Sequence, residues 1–443
     1  MSGILVLGAG RSSSSLISYL QQQSKRKQWP LTVGDYSPDA ANERLAAIGY
    51  GKAIRFDIHD QVLSSTAIAD ADVVVSLMPA HLHAEVAYHC LKHGKHLLTA
   101  SYITNEMSAL DAEARKKGLL FLNECGLDPG IDHMSAMQVI DRIRDKGGRL
   151  LSFESFTGGL IAPDTAPENP WRYKFTWNPR NVVMAGQSTA RYLLDGGYQY
   201  IPYHQLFRRI TPVSVEGVDY EGYANRDSLK YREVYGLNDI STMLRGTLRY
   251  RGFCSAWNVL VQLGCCDDSY DMELVDTMTH RQFMESFVLH RSRTVEQAIC
   301  EALVLDPTGE EMKRLTWSGL FSNERVGLKS GTPAKILEHI LLKKWTLHPD
   351  DRDFVVMWHR FVYELQGKSH VLHAHLTATG NNSIDTAMAR TVGLPLGIAT
   401  VLLMQGKIKT RGVAIPVSRD IYEPVLNELK SLGIELFEEE VSG

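Results

Sequence analysis

The sequence predicts an α/β protein, a doubly wound parallel sheet followed by a mixed-sheet region with an inserted helical piece. Three features carry that expectation. Short apolar runs alternate with segments of helical periodicity from residue 4 to about 122. Beyond the Gly147-Gly148 break, Leu151-Ser152-Phe153-Glu154-Ser155-Phe156 alternates as a half-buried strand does. Amphipathic helical stretches then gather between about 270 and 345 before strands return. At 443 residues the chain is too long for one hydrophobic core, so two or three domains are expected.

Ile4–Leu7 is the first strand. It runs into Gly8-Ala9-Gly10-Arg11-Ser12-Ser13, after which Leu16, Ile17 and Leu20 recur at helical spacing. Strand, tight glycine turn and helix form a dinucleotide-binding pattern. Gly8 supplies the turn's backbone angles, Gly10 lets the chain approach a phosphate without a Cβ, and the helix N-terminal amides face the anion. Ser13 stands at the third small position, where the fingerprint has glycine. The second strand, Leu31-Thr32-Val33-Gly34, ends at Asp35, where a carboxylate can bind both adenosine ribose hydroxyls. An acidic residue there repels a 2′-phosphate, so NAD is expected rather than NADP. The same carboxylate can also cap the turn before Ser37-Pro38.

The alternation continues with strand Ala53–Phe56 ending at Asp57, helix 61–68, and strand Val73–Leu77 ending in Met78-Pro79. Helix 81–93, strand 96–100, helix 104–117 and strand 119–122 follow. Ligands on such a sheet lie at the carboxyl ends of the strands. Those ends carry Gly8, Gly10, Arg11, Ser12, Asp35, Asp57, Leu77, Met78, Ser101, Tyr102 and the segment Asn123–Asp128, which includes Leu127. Asp128-Pro129-Gly130 reads as the N-cap and first-turn proline of a helix to about 146. It also sets a carboxylate at the mouth of the sheet, and both roles can hold together.

In the second half, strand-like segments fall at 182–184, 210–214 and 247–253. The helical region has amphipathic stretches at 272–288, 294–304 and 334–343. Strands are expected at 354–365 and 370–378, and a helix over 384–404. Asn225-Arg226-Asp227-Ser228 and the run from Arg245 through Thr247 and Arg249 to Arg251 place many cations beside glycine and small polar residues. Such clusters suit bidentate carboxylate recognition or an ion-paired strand face.

Composition narrows the function. Basic and acidic residues number 47 and 51, which argues against a nucleic-acid or membrane-surface partner. No stretch reads as the uninterrupted apolar run of a bilayer span. Six scattered cysteines, without repeated CxxC spacing, point to a reducing cytoplasm rather than a disulfide scaffold or zinc site. The pairs His81/His83 and His373/His375 have no cluster of carboxylates or cysteines to complete them, so no metal site is expected.

Several blocks together resemble the saccharopine dehydrogenase family over almost the whole chain. They include Val6-Leu7-Gly8-Ala9-Gly10-Arg11, Thr99-Ala100-Ser101-Tyr102, Asn123-Glu124-Cys125-Gly126-Leu127-Asp128-Pro129-Gly130-Ile131-Asp132-His133 and Thr157-Gly158-Gly159-Leu160. Tyr173–Trp177, Asn225–Ser228, Arg245–Tyr250 and Ala387–Pro395 extend the match. Within the family the chain is most similar to the glutamate-forming branch. The resemblance implies a Rossmann domain over 1–128, a mixed α/β substrate and dimerisation domain over 129–269 and 346–385, a small helical domain over 270–345, and a segment 386–443 returning to the Rossmann domain.

It also implies an activity: saccharopine, NAD and water giving glutamate, 2-aminoadipate 6-semialdehyde and NADH in lysine degradation. A homodimer and a small-molecule substrate go with it. Saccharopine has three carboxylates, which accounts for Arg226, Arg245 and Arg249. By resemblance Tyr102 and Asp128 lie beside the reacting centre, while Ser101, Thr157, Asn225 and Thr247 join the substrate set. Fungal relatives often have cysteine where this chain has Thr157. Two rival readings are a carboxynorspermidine dehydrogenase, whose substrate has fewer carboxylates, and a protein that binds NAD without turnover.

Overall fold

The computed structural model describes residues 3–289 and 293–441; the side chain of Arg11 lies outside that description. The chain forms two compact units. One comprises residues up to Gly148 together with Leu376–Phe437; the other comprises Arg149–His375 and residues from Glu438.

In the first unit, β1 (Ile4–Leu7), β2 (Leu31–Asp35), β3 (Lys52–Arg55), β4 (Val73–Ser76), β5 (His96–Thr99) and β6 (Leu120–Leu122) build a parallel sheet. Its order is β3-β2-β1-β4-β5-β6, and the late strand Gly412–Ala414 adds in parallel beyond β6. Order reverses between β1 and β4, which makes that crevice the ligand position of an open α/β sheet. Buried apolar runs such as Val73-Val74-Val75 fit strands covered on both faces.

The helix Ala387–Met404 is long and apolar enough, by length and composition, to cross a bilayer. The expectation that no stretch approaches such a run is therefore corrected. Most of this helix is buried inside the unit, against the helix Ser14–Lys27. A Cβ on Gly393 would stand 2.8 Å from the Leu16 backbone nitrogen, and one on Gly397 2.7 Å from a Tyr19 ring carbon. Two glycines four apart thus let the two helices approach closely.

In the second unit, β7 (Arg149–Ile161) is central. It pairs in parallel with β12 (Thr242–Tyr250) and antiparallel with β13 (Asp353–Leu365). The hairpin β10 (Ile210–Val215) and β11 (Val218–Ala224) extends one side, while β14 (Lys368–Thr379) and the strand Phe437–Val441 extend the other. A second hairpin, β8 (Ala190–Leu194) and β9 (Gly197–Ile201), joins β12 through β8. Helices Phe253–Leu263, Val295–Leu303, Glu310–Trp317 and Pro333–Trp345 pack on this sheet, and their apolar residues share one core with it.

Several expected elements shift. Residues 182–184 belong to the helix Pro179–Met184, whose start is set by Asn178 as cap and Pro179 in the first turn. The segment 247–253 divides into the end of β12 and the start of a helix at Phe253, with Gly252 at φ 88° between them. Of the stretch 272–288 only His280–Glu285 is helical, opened by a capping box of Thr279 and Gln282. Helix 104–117 breaks into Asn105–Ser108 and Asp111–Lys116. β7 runs on through Gly158-Gly159, because a Cβ on Gly158 would press on Leu248 of β12 at 2.8 Å.

Candidate active site

The glycine turn leaves β1 in a backbone conformation that packs directly on the end of β4. Gly8 adopts φ 99°, donates its N–H to Gly34 O at 2.8 Å, and would place a Cβ 3.1 Å from the Leu77 carbonyl group. β1 and the end of β4 therefore touch across the switch point. A Cβ on Gly10 would meet nothing within 4 Å, leaving open space over the turn. Arg11, Ser12 and Ser13 form one 3-10 turn before the helix Ser14–Lys27. Ser13 turns inward and donates Oγ–H to Gly10 O at 2.7 Å, so its hydroxyl serves the turn where the fingerprint has glycine.

Asp35 accepts from Ala9 N–H at 2.7 Å and from Ser37 N–H at 2.9 Å. The turn-capping role is thus present, and the same carboxylate reaches the glycine turn. Each oxygen keeps a further lone pair for a ribose hydroxyl. Cations stand close: Arg44 Nε donates to Ala9 O at 3.4 Å, and Arg55 pairs with Asp35 in the strand register and lies over the Tyr36 ring. Asp57 caps its own turn, accepting from His59 N–H at 3.1 Å. Met78 packs on the sheet's core, and Leu127 is buried.

At the ends of β5 and β6 the chain folds back on itself. Gly126 N–H donates to Pro129 O, and Ile131 N–H donates to Gly126 O at 2.8 Å. Gly130, at φ 149°, would set a Cβ 2.0 Å from Gly126 O, so no other residue fits. This interlock corrects the reading of Asp128 as a helix N-cap. The helix begins at Ile131 with Gly130 in the cap position, and Asp128-Pro129 precede it in the loop. The acidic residue serving the helix start is Asp132, whose Oδ1 accepts Gly130 N–H at 2.6 Å. Asp128 is half-buried at the strand ends, as is Tyr102.

Glu124 ties these two loops together. Its backbone N–H donates to Ser101 O at 3.0 Å, Oε1 accepts Ile103 N–H at 3.1 Å, and Oε2 lies 3.0 Å from His133 Nε2. All three links are buried or partly so. Glu124 and His133 stood in a recognised block but received no role from sequence. Their signal was slight: a Glu and a His set either side of the Pro129-Gly130 turn, among Asn123, Asp128 and Asp132. His83 was likewise passed over once metal binding was set aside. Burial pushes its pKa down to about 4, and its ring contacts Ser76, Thr99 and Ser101.

In the second unit the expected polar residues converge on β12. Asn225 N–H donates to Arg245 O at 2.8 Å, and Arg245 N–H donates to Ser228 Oγ at 2.9 Å, so the Asn225–Ser228 loop is stitched to the strand. Arg226 lies exposed in that loop at φ 47°. Arg245 is buried over the Tyr231 ring at 4.4 Å. Thr247 pairs in register with Thr157, whose buried Oγ1 has no hydrogen-bond partner among the described residues. Arg249, only 3% exposed, is enclosed by the rings of Tyr173, Tyr223 and Phe253 at 5.0, 5.8 and 5.2 Å. Nη1 donates to Leu248 O, and among the described residues Nε has no hydrogen-bond partner and no carboxylate forms an ion pair with the guanidinium.

Two family models match the chain: the saccharopine dehydrogenase NADP binding domain over residues 4–122 and the saccharopine dehydrogenase C-terminal domain over 126–434. Saccharopine dehydrogenase [NADP(+), L-glutamate-forming] of Schizosaccharomyces pombe is 32% identical over 450 residues, covering 99% of each chain. The mitochondrial alpha-aminoadipic semialdehyde synthase of Rattus norvegicus is 33% identical over 97% of this chain, which spans only 47% of that protein. Apo saccharopine dehydrogenase (L-Glu forming) from Saccharomyces cerevisiae superposes with a TM-score of 0.89 at 30% identity, covering 100% of both chains.

Proposed function

The chain belongs to the saccharopine dehydrogenase family, and from that premise we propose that it oxidises saccharopine to glutamate and 2-aminoadipate 6-semialdehyde. The observation that carries the reading is the Asn225–Ser228 loop stitched to Arg245, which gathers Asn225 and Arg226 of the loop beside Arg245 of β12. A substrate of several carboxylates calls for such a set. We assign Arg226 and Arg245 to its carboxylates, with Asn225, Thr157 and Thr247 beside them. The aromatic enclosure of Arg249 supports a place in the wall behind them rather than at the ligand.

The first unit fits a nicotinamide dinucleotide: the open space over Gly10 and the close Gly8–Leu77 approach are the cradle of a pyrophosphate. Gly8, Gly10, Ser12, Asp35, Asp57, Leu77, Met78 and Leu127 would hold it, and when bound it accepts hydride from the carbon beside the secondary amine. Ser101, Tyr102 and Asp128 then serve the substrate side. Loss of hydride leaves a protonated imine, to which water adds. Asp128 receives a proton from that water and passes it to the departing amine, while the carbinolamine hydroxyl gives up its own proton as the C–N bond breaks and the aldehyde C=O forms. Tyr102 holds the amine or the incoming water in line. Glu124 supports the arrangement through Ser101 O and Ile103 N–H, either side of Tyr102.

For the cofactor we propose NAD, on the strength of the Asp35 carboxylate at the ribose position. The fungal relatives are named for NADP(+), and Arg44 and Arg55 near Asp35 favour that second reading through a cationic 2′-phosphate site. Initial rates with saccharopine and each nucleotide, in both directions, decide between them. NADH formation from saccharopine is the expected result. A preference for NADP overturns the cofactor assignment. Turnover of carboxynorspermidine alone, or nucleotide binding without any absorbance change, overturns the substrate or the catalytic reading.

We further propose a homodimer in a reducing compartment. The six cysteines are free thiols, and edge strand β9 presents Tyr198 and Tyr200 at 56% and 60% exposure. Sedimentation at several concentrations tests it, and a monomer at every concentration would refute it.

A further inference from the structure

The scheme above gives His83 no role, yet its imidazole joins two strand ends. His83 opens the helix His83–His93 and is buried. Nδ1 lies 3.0 Å from Ser76 Oγ at the end of β4. Nε2 lies 2.8 Å from Ser101 Oγ and 3.1 Å from Thr99 Oγ1, beyond and at the end of β5. Thr99 Oγ1 also accepts the Ser101 backbone N–H at 3.3 Å, which fixes the turn. Three hydroxyls, each able to give or take a proton, surround one ring.

A neutral imidazole carries one N–H and one acceptor nitrogen. With the hydrogen on Nε2, the ring donates to Ser101 Oγ, and the serine's own O–H is left to point at a ligand. Ser76 then donates to Nδ1, which fixes that form. With the hydrogen on Nδ1, the ring donates to Ser76, and Nε2 accepts from Ser101 or Thr99. A Ser101 hydroxyl committed to Nε2 offers a ligand only an oxygen lone pair, which suits an amine N–H and not a carboxylate.

We propose that His83 is a positioning residue that acts through Ser101: in its Nε2–H form it makes the Ser101 hydroxyl a hydrogen-bond donor to a substrate carboxylate. The proposal rests on saccharopine as substrate and on Ser101 as one of its contacts. It gives the buried ring a reason to be histidine. Asparagine would reach only the Ser76 side and glutamine only the Ser101 side, whereas imidazole spans both.

Those two replacements make the test. Steady-state kinetics with saccharopine are measured for Ser101→Ala, His83→Asn, His83→Gln and the Ser101→Ala/His83→Asn pair, with the melting temperature of each. Ser101→Ala is expected to raise KM for saccharopine about tenfold, with kcat and the nucleotide KM little changed. His83→Asn should raise it as much, the pair should be no worse than either single variant, and His83→Gln should recover most of the loss. Additive effects, or equal effects of Asn and Gln that follow the melting temperature, overturn the proposal in favour of a packing role. If Ser101→Ala leaves KM unchanged while saccharopine is still turned over, the proposal falls and the substrate reading stands; no turnover in the unsubstituted protein removes both. The ¹⁵N shifts of the unsubstituted His83 ring give an independent reading, and an Nδ1–H ring with saccharopine bound overturns the proposal.

Discussion

Asp35→Ala removes a carboxylate that acts on two neighbours. Its oxygens accept Ala9 N–H at 2.7 Å and Ser37 N–H at 2.9 Å, so its loss loosens the glycine turn whichever nucleotide binds. A hydrogen bond to a charged group contributes about 1.5–3 kcal/mol. At a half-exposed site water takes over the abandoned donors, so the two bonds together cost about 3 kcal/mol at most. Selectivity depends on separate contributions. NAD loses a charge-assisted bond to its 2′-hydroxyl, again about 1.5–3 kcal/mol. NADP is relieved of a repulsion of about 1 kcal/mol per pair of unit charges near ~4 Å in water-like surroundings, or about 2 kcal/mol for a phosphate of nearly two charges. The NAD-to-NADP affinity ratio should therefore move by roughly 3–5 kcal/mol, between a hundredfold and several thousandfold. Fluorescence titration of NADH and NADPH against both proteins measures it. Equal weakening of both nucleotides would confine Asp35 to holding the turn.

With the cap role removed from Asp128, Asp128→Asn should change stability by no more than about 0.5 kcal/mol and lower turnover about a hundredfold or more; a large fall in melting temperature with normal turnover would reverse that assignment. Arg226→Ala should raise KM for saccharopine about tenfold, since an exposed charge pair is worth about 1 kcal/mol and a bidentate one somewhat more. Arg249→Met, which replaces a caged cation with no ion-pair partner among the described residues, should leave stability unchanged or raise it by about 1–4 kcal/mol and shift KM less than about threefold; a tenfold rise would bring Arg249 to the ligand. Burial holds the folded His83 pKa at about 4, against 6.5 for the ordinary side chain. The unfolded chain therefore binds the extra proton between those values, so this contribution to stability is present above about pH 6.5 and lost as pH falls towards 4. Its full size is about 3 kcal/mol. Melting curves from pH 7 to 4.5 should be steeper for the unsubstituted protein than for His83→Gln, and parallel slopes would contradict the assignment.

The nucleotide half was legible because local chemistry and tertiary role coincide there. Gly8 needs its positive φ, the buried run Ile4–Leu7 needs a two-sided sheet, and the two are adjacent in sequence. The loop at 126–130 was misread for the opposite reason. Asp-Pro is a helix-start signal only if the next residue is helical, and Gly130 is instead spent on passing Gly126, a contact no local pattern announces. The second unit was legible in its long alternating strands β13 and β14 and in the amphipathic stretches that form the helices Val295–Leu303 and Pro333–Trp345. The β8–β9 hairpin and the helix Phe253–Leu263 were missed. The hairpin's exposed tyrosines blur its alternation, and the helix shows only a narrow polar stripe of Ser255, Asn258 and Gln262 in an otherwise apolar run. At the site, the sequence reading named the groups proposed to meet ligands and passed over those that tie the strand-end loops together, such as His83, Glu124 and His133. Their partners lie 7–21 residues away, so spacing alone does not pair them.

The strand Gly412–Ala414 and the helix Ala387–Met404 complete the nucleotide-binding unit from the far end of the chain. During synthesis, the first 148 residues emerge with the outer edge of β6 unpaired and with Leu16 and Tyr19 uncovered. They stay so until more than two hundred further residues have been translated. The second unit is contiguous through most of its length and can close first. Maturation should then end with the capture of the tail, which makes the C-terminal sixty or so residues the ones whose truncation yields an aggregating fragment rather than a smaller working enzyme.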